Sequence, residues 1–243
     1  MMRVLALILA LLAWTAPGAG AADRVTISLI QGDNASTLGF EVVREAYRRI
    51  GLQAEAELMP NERGIVSANN GDTDADTMRM VGLEAKYSNL VRVAEPVMLL
   101  NIVAFTSGLD FVVAGWESLR PYNLCIVRGF KLGETRTEGM QRELPATAEA
   151  ALRMVKAGHC QIATMGEALW LLVDELKLGP LRSLDPPVES VPLYHYVNAR
   201  HAGLVPKLAD ALKVMRKDGT IDRILAADRA AVQAARERNS LRE

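Results

Sequence analysis

Residues 58–98 read LMPNERGIVSANNGDTDADTMRMVGLEAKYSNLVRVAEPVM. Ala54–Leu58 predicts a short strand that runs into Pro60, and a helix opening with Arg63 follows it. Asn70-Gly71 ends that helix, because glycine accepts the left-handed backbone that closes a last turn. An acidic edge, Asp72 to Asp76, leads to a strand around Thr77–Val81 carrying Arg79. In an open α/β sheet, helix starts and strand ends face a common crevice. Arg63 and Arg79 both fall there, so that crevice is the candidate site.

Upstream, Val25–Ile30 (VTISLI) predicts a first strand, with Gln31 to Ala35 turning the chain after it. Ser36 or Thr37 is positioned to cap a helix whose buried face holds Phe40, Val43, Tyr47 and Ile50, and Gly51 ends it. The chain thus opens β-α-β-α-β, which predicts a mostly parallel sheet with helices on its faces.

Downstream, Leu90–Val93 and Asn101–Thr106 read as separate extended runs, and Leu124–Val127 as a strand ending at Arg128-Gly129. Residues 130–146 are polar and weakly patterned. Thr147 caps a helix bearing Ala151, Leu152 and Val155, a strand follows at Gln161–Met165, and another helix at Glu167–Leu176. Pro180 to Pro192 reads as a turn-rich loop and Val191–Asn198 as extended. A helix with Pro206 in its first turn buries Leu204, Leu208, Leu212 and Met215. Thr220 caps a last helix in which Ile221, Ile224 and Leu225 pack, and the charged tail from Asp228 reads as a solvated end.

Half of the 243 residues are apolar, 23% are charged, and the formal net charge is −1. That balance gives no basic surface for nucleic acid or an anionic membrane. Arg3, the apolar run Val4–Trp14 and Ala19-Gly20-Ala21 have the layout of a cleaved signal peptide over residues 1–22. The mature chain is therefore expected in the periplasm. An oxidising compartment permits a bridge between the two cysteines, Cys125 and Cys160; two buried thiols are the alternative.

The order of these pieces resembles the extracellular solute-binding protein family 3, the type II periplasmic binding proteins known as receptors for polar amino acid importers. The stretches that carry the resemblance are LMPNERGIVSANNGDTDAD, AEPVMLLNIVAF, LCIVRGF, MVKAGHCQIATMGE and LYHYVNARH…LADALKVMRKDGTIDRIL. The resemblance implies an α/β fold of two lobes, with mostly parallel sheets flanked by helices and a two-strand hinge. Lobe 1 would span 23–102 and 198–243, and lobe 2 would span 103–197. It also implies a small-molecule ligand held between the lobes, a membrane permease or sensor as partner, a monomer, and no cofactor or metal. Two positions depart from the family pattern. Asp76-Thr77-Met78 stands where a Ser/Thr-rich run precedes the carboxylate-gripping arginine, and Gln161 stands where an acid holds the ligand ammonium, leaving Glu167 as the nearest acid.

Arg79 has the planar fork that grips a carboxylate, or else it pairs with Asp76 or Glu84. Arg63, Arg128 and Lys131 would join it in selecting a small anion, or point to solvent. Asp33 and Asn34 are placed to bond a ligand or to cap the next helix. Tyr194 and Tyr196 share one strand face and His195 takes the other; the rings either stack on a ligand or pack. No metalloprotease, nucleophile-elbow or phosphate-loop motif is present. A non-catalytic receptor is therefore expected, with two alternatives: a dehydratase using Glu167 and His195, and an accessory protein with a degenerate cleft.

Overall fold

The computed structural model describes residues 24–240; the expected signal peptide lies outside the described residues. β1 (Arg24–Ile30), β2 (Gln53–Met59) and β3 (Ala75–Arg79) alternate with α1 (Asn34–Arg49) and α2 (Asn61–Asn70). β1 pairs in parallel with both β2 and β3. Asp33, not Ser36 or Thr37, caps α1: its carboxylate accepts from the Ser36 N–H at 3.2 Å. The Ser36 hydroxyl is occupied elsewhere, accepting from the Ile30 N–H at 3.2 Å.

β4 (Leu90–Thr106) is one continuous strand of 17 residues, so the two extended runs expected there are joined. After β5 (Leu124–Cys125), the weakly patterned segment holds α3 (Lys131–Arg136) and β6 (Arg142–Glu143). α4 (Ala148–Lys156) is capped by Thr147, as its sequence predicts. β7 (Ile162–Gly166) and α5 (Trp170–Glu175) follow. β8 (Arg182–Asn198) also runs for 17 residues: its Val191–Asn198 part is extended as expected, but it begins well inside the stretch expected as a turn-rich loop. It pairs antiparallel with β4, and the register jumps between Ile102↔Glu189 and Ala104↔Leu184. Pro186 and Pro187 sit inside that jump, where no ladder hydrogen bond is needed, so they do not end the strand.

The sheet has eight strands in the order β2-β1-β3-β8-β4-β7-β5-β6. One core packs β1 against α1 and α6 (Val205–Lys217), through Ile27, Val43, Tyr47, Leu208, Leu212 and Met215. Around the other half of the sheet, Phe105, Leu152, Val155, Met165 and Trp170 form a second core, and Ile102, Trp116, Ile126 and Ile162 a third. Each fully buried side chain of this size is worth about 1.5–3 kcal/mol. A disulfide joins Cys125 to Cys160, with Cα atoms 5.7 Å apart.

The last helix, α7 (Thr220–Ser240), overturns the expectation of a solvated tail. Ile221 and Leu225 belong to the first core, whereas Val232 and Ala235 pack in the second. Asn239 is fully buried and donates to the Leu181 carbonyl, and Arg236 and Arg238 pair with Asp185 and Asp174, each at 2.7 Å. Ile221, Leu225, Asp228, Val232, Ala235 and Asn239 recur at helical spacing and form one stripe. α7 therefore spans both halves of the molecule. No helix among the described residues is long and apolar enough to cross a membrane.

Candidate functional site

β1 and β3 run in the direction of β4, while β7 and β5 run against it. The carboxyl ends of the two parallel sets therefore converge across the middle of β4 and β8, where ligand crevices form in α/β sheets. A cavity of about 600 Å³ lies in this region. Its walls come from the start of α1 (Asn34, Ala35, Leu38), the middle of β4 (Met98–Asn101), the turn that follows β7 (Glu167, Ala168), and α7 from Ile221 to Gln233. Apolar walls with a few convergent polar groups are what small-molecule sites present.

The polar groups are held in place. The Asn101 carbonyl accepts from the Ser190 hydroxyl at 2.7 Å, which turns its amide N–H toward Glu167 at 3.0 Å. Asn34 donates to Asp228 at 2.9 Å, tying α1 to α7. Arg229 is paired with Asp222 at 2.9 Å. Arg216 donates to the Pro96 carbonyl and lies 4.0 Å from Glu95.

Of the residues expected at the site, Asn34 and Glu167 line this cavity and the others do not. Asp33 is used as the α1 cap. Arg79 is turned inward: its Nε and Nη2 bind the two Asp76 carboxylate oxygens at 2.7 and 2.8 Å, and its remaining bonds go to Asn61. Residues three apart on a regular strand face opposite sides. Between Asp76↔Tyr196 and Arg79↔Tyr194, β3 carries one residue more than β8, and this bulge puts both side chains on one side. Asp76 is fully buried and also accepts from the Ser28 hydroxyl at 2.9 Å. Helix α2 approaches this group closely at Gly64, where a Cβ would lie 3.3 Å from the Asp76 carboxylate.

Lys131 pairs with Glu134 at 2.7 Å on the surface, and Arg128 donates to the Leu144 carbonyl at 3.3 Å. Arg63 is exposed on α2 with no hydrogen-bond or ion-pair partner among the described residues. Tyr194 is half-buried beneath Arg92, whose guanidinium lies 4.6 Å from the ring centre. The strand alternation holds: Tyr194 and Tyr196 share one cluster, while His195 packs edge-on to Tyr47 of α1. His195 is 1% exposed and bonded to the Tyr47 hydroxyl at 3.0 Å and the Thr77 carbonyl at 3.1 Å. Burial is the dominant cause that lowers its pKa to about 4, against the smaller raising effect of the Thr77 bond. His195 is thus neutral and enclosed in the core, and it does not meet Glu167 in the cavity.

Searches against known proteins give the architecture its place. No family model matches the sequence. A histidine kinase sensor domain with similarity to periplasmic binding proteins superposes with a TM-score of 0.63 at 19% identity, covering 85% of this chain and 96% of its own. The probable amino-acid ABC transporter extracellular-binding protein YtmK of Bacillus subtilis gives 0.66 at 14% identity, covering 84% and 97%. The periplasmic VFT2 domain of Bordetella pertussis BvgS gives 0.62 at 18%, covering 84% and 92%. The fold is that of the two-lobed periplasmic binding proteins. In sequence, an uncharacterised protein of Shewanella oneidensis is 25% identical over 197 residues, 75% of this chain and 72% of that one.

Within this binding-protein fold, sequence reasoning missed the contributions of β4 and α7. Met98 and Leu99 lie on β4 between the two extended runs expected there, Asn101 opens the second of those runs, and Asp222, Leu225, Asp228 and Val232 lie on the helix whose end was expected in solvent. The signal for α7 was present in its stripe of every third or fourth residue.

Proposed function

We propose that this chain is a non-catalytic solute receptor of the periplasm. It would hold a small molecule between two lobes, close on it by hinge motion along β4 and β8, and present the closed form to a membrane permease or sensor. The lobes are taken as 23–102 with 198–243, and 103–197, the far half of α7 reaching across to the second. The observation that carries this is the cavity of about 600 Å³ built jointly by α1, the crossing strand, the end of β7 and α7. A site walled by elements of both cores is occupied only as those elements settle together, which is the condition for a ligand to bias a hinge equilibrium.

An anionic ligand was the expectation from the arginines. In the folded chain Arg79 is paired with Asp76 and Lys131 with Glu134, whereas Arg128 meets a carbonyl alone and Arg63 has no partner among the described residues. The receptor function stands without them.

The test is a thermal-shift screen of the mature chain, starting at residue 23, against amino acids, dicarboxylates, small acids and amines. A ligand present at about 100 times its Kd stabilises by roughly 2.7 kcal/mol. The expected result is a clear rise in Tm with one chemical class, accompanied by a smaller radius of gyration in solution scattering. No response to any class would remove the receptor function.

A further inference from the structure

We infer that the cavity takes an organic cation, a primary ammonium group on a short apolar body, received by Glu167 and Asp228. This rests on the receptor function proposed above and names the chemistry of its ligand. Two carboxylates facing the cavity have no ion-pair partner among the described residues. Glu167 is met by the Asn101 amide and Asp228 by the Asn34 amide. Both are half-buried. Each cation in the same wall has a carboxylate beside it: Arg229 pairs with Asp222 at 2.9 Å, and Arg216 lies 4.0 Å from Glu95. The cavity therefore presents net negative charge, held in position by amides that cannot neutralise it.

A carboxylate drawn part-way out of water and met only by an amide gains from an arriving cation, and one ammonium would serve both. An anion would meet that charge unscreened and would have to compete with Asp222 for Arg229 or with Glu95 for Arg216. Leu38, Met98, Leu99, Leu225 and Val232 supply the apolar wall on which the ligand's body would lie. Leu99 is 53% exposed, an unusual degree for a large apolar side chain at the centre of a sheet, and it is the natural surface for that body to cover. Glu167 directly follows β7 in one half of the molecule, while Asp228 belongs to α7, which is rooted in both. A bound ammonium would thus tie α7 to the end of β7, and the helix would report occupancy.

The experiment is calorimetric titration of the mature chain with three probes of equal length: pentylamine, pentanol and pentanoate. An ion pair with a carboxylate is stronger than a hydroxyl's hydrogen bond to it, so pentylamine should bind about tenfold more tightly than pentanol, with pentanoate weakest. Glu167→Gln and Asp228→Asn, each checked for unchanged circular dichroism and Tm, should weaken pentylamine about tenfold and leave pentanol unaffected. Ala35→Phe, which fills the cavity from the first turn of α1, should abolish binding of all three. The proposal is overturned if pentanoate binds best, or if both charge-removing variants keep wild-type affinity for the amine. If amino acids or dicarboxylates stabilise the protein while pentylamine does not, the receptor function survives and the cation assignment fails. If nothing binds, both fail.

Discussion

Asp76 and Arg79 neutralise each other at the end of β3, whereas Glu167 and Asp228 face the cavity with only amides for company. Both arrangements sit where the strand ends converge, and both carry charge out of bulk water. The difference lies in completion. The first is a closed set: every oxygen of Asp76 has a donor, and Arg79 is only 11% exposed. The second is an open set, stabilised locally yet lacking a counter-charge. The closed set holds the fold, and the open one is the set proposed to receive a ligand.

The largest expected effect comes from breaking the closed set. Arg79→Ala leaves Asp76 buried and unpaired and should cost about 3–5 kcal/mol in urea unfolding. Replacing both residues with apolar ones of similar size should recover most of that loss. If Arg79→Ala instead leaves stability intact and abolishes a ligand response, the roles of the two sets are reversed.

Next is the pH dependence set by His195, whose ring bonds the carbonyl of Thr77 beside Asp76. Its folded pKa is about 4 against an ordinary 6.5. Between those values the unfolded chain binds the proton and the folded chain does not. Stability should therefore be full above pH 6.5, fall as pH drops, and level off near pH 4, for a total loss of about 3 kcal/mol. His195→Gln should flatten this slope in denaturation curves recorded across that range. An unchanged slope would place the titrating group elsewhere.

A third effect concerns the strut behind the open set. Ala235→Leu overpacks the second core under α7 and should cost about 1–3 kcal/mol, measured as a lower urea midpoint. A solvated tail would tolerate leucine without change. The smallest effect on the empty protein belongs to the open set itself. Glu167→Gln and Asp228→Asn should alter unliganded stability by no more than about 0.5 kcal/mol, because neither breaks an ion pair.

Much of the fold was legible because periodicity reports burial. β1, β2, α2, α4 and α6 lie close to where alternating or helical apolar spacing predicts them. The long crossing strands were only partly legible: the runs expected in β4 leave residues 94–100 unassigned between them, and Pro186-Pro187 reads locally as a loop. Only pairing between distant segments supplies the register shifts that accommodate them. The site was less legible still. Arg79 has the right chemistry for an anion, but the one-residue bulge that turns it onto Asp76 is a property of the β3–β8 ladder and of no single stretch. Asp228 looked solvated because charged neighbours outnumber the apolar stripe it belongs to. Asn34 and Glu167, which line the cavity, were legible as strand-end positions because strand ends are fixed by local sequence.

The most direct test titrates pentylamine into Arg79→Lys and Glu167→Gln side by side. Arg79→Lys keeps a cation on Asp76, so the account predicts wild-type affinity there and about tenfold weaker binding in Glu167→Gln. Weakened binding in the lysine variant with full affinity in the glutamine variant would contradict it.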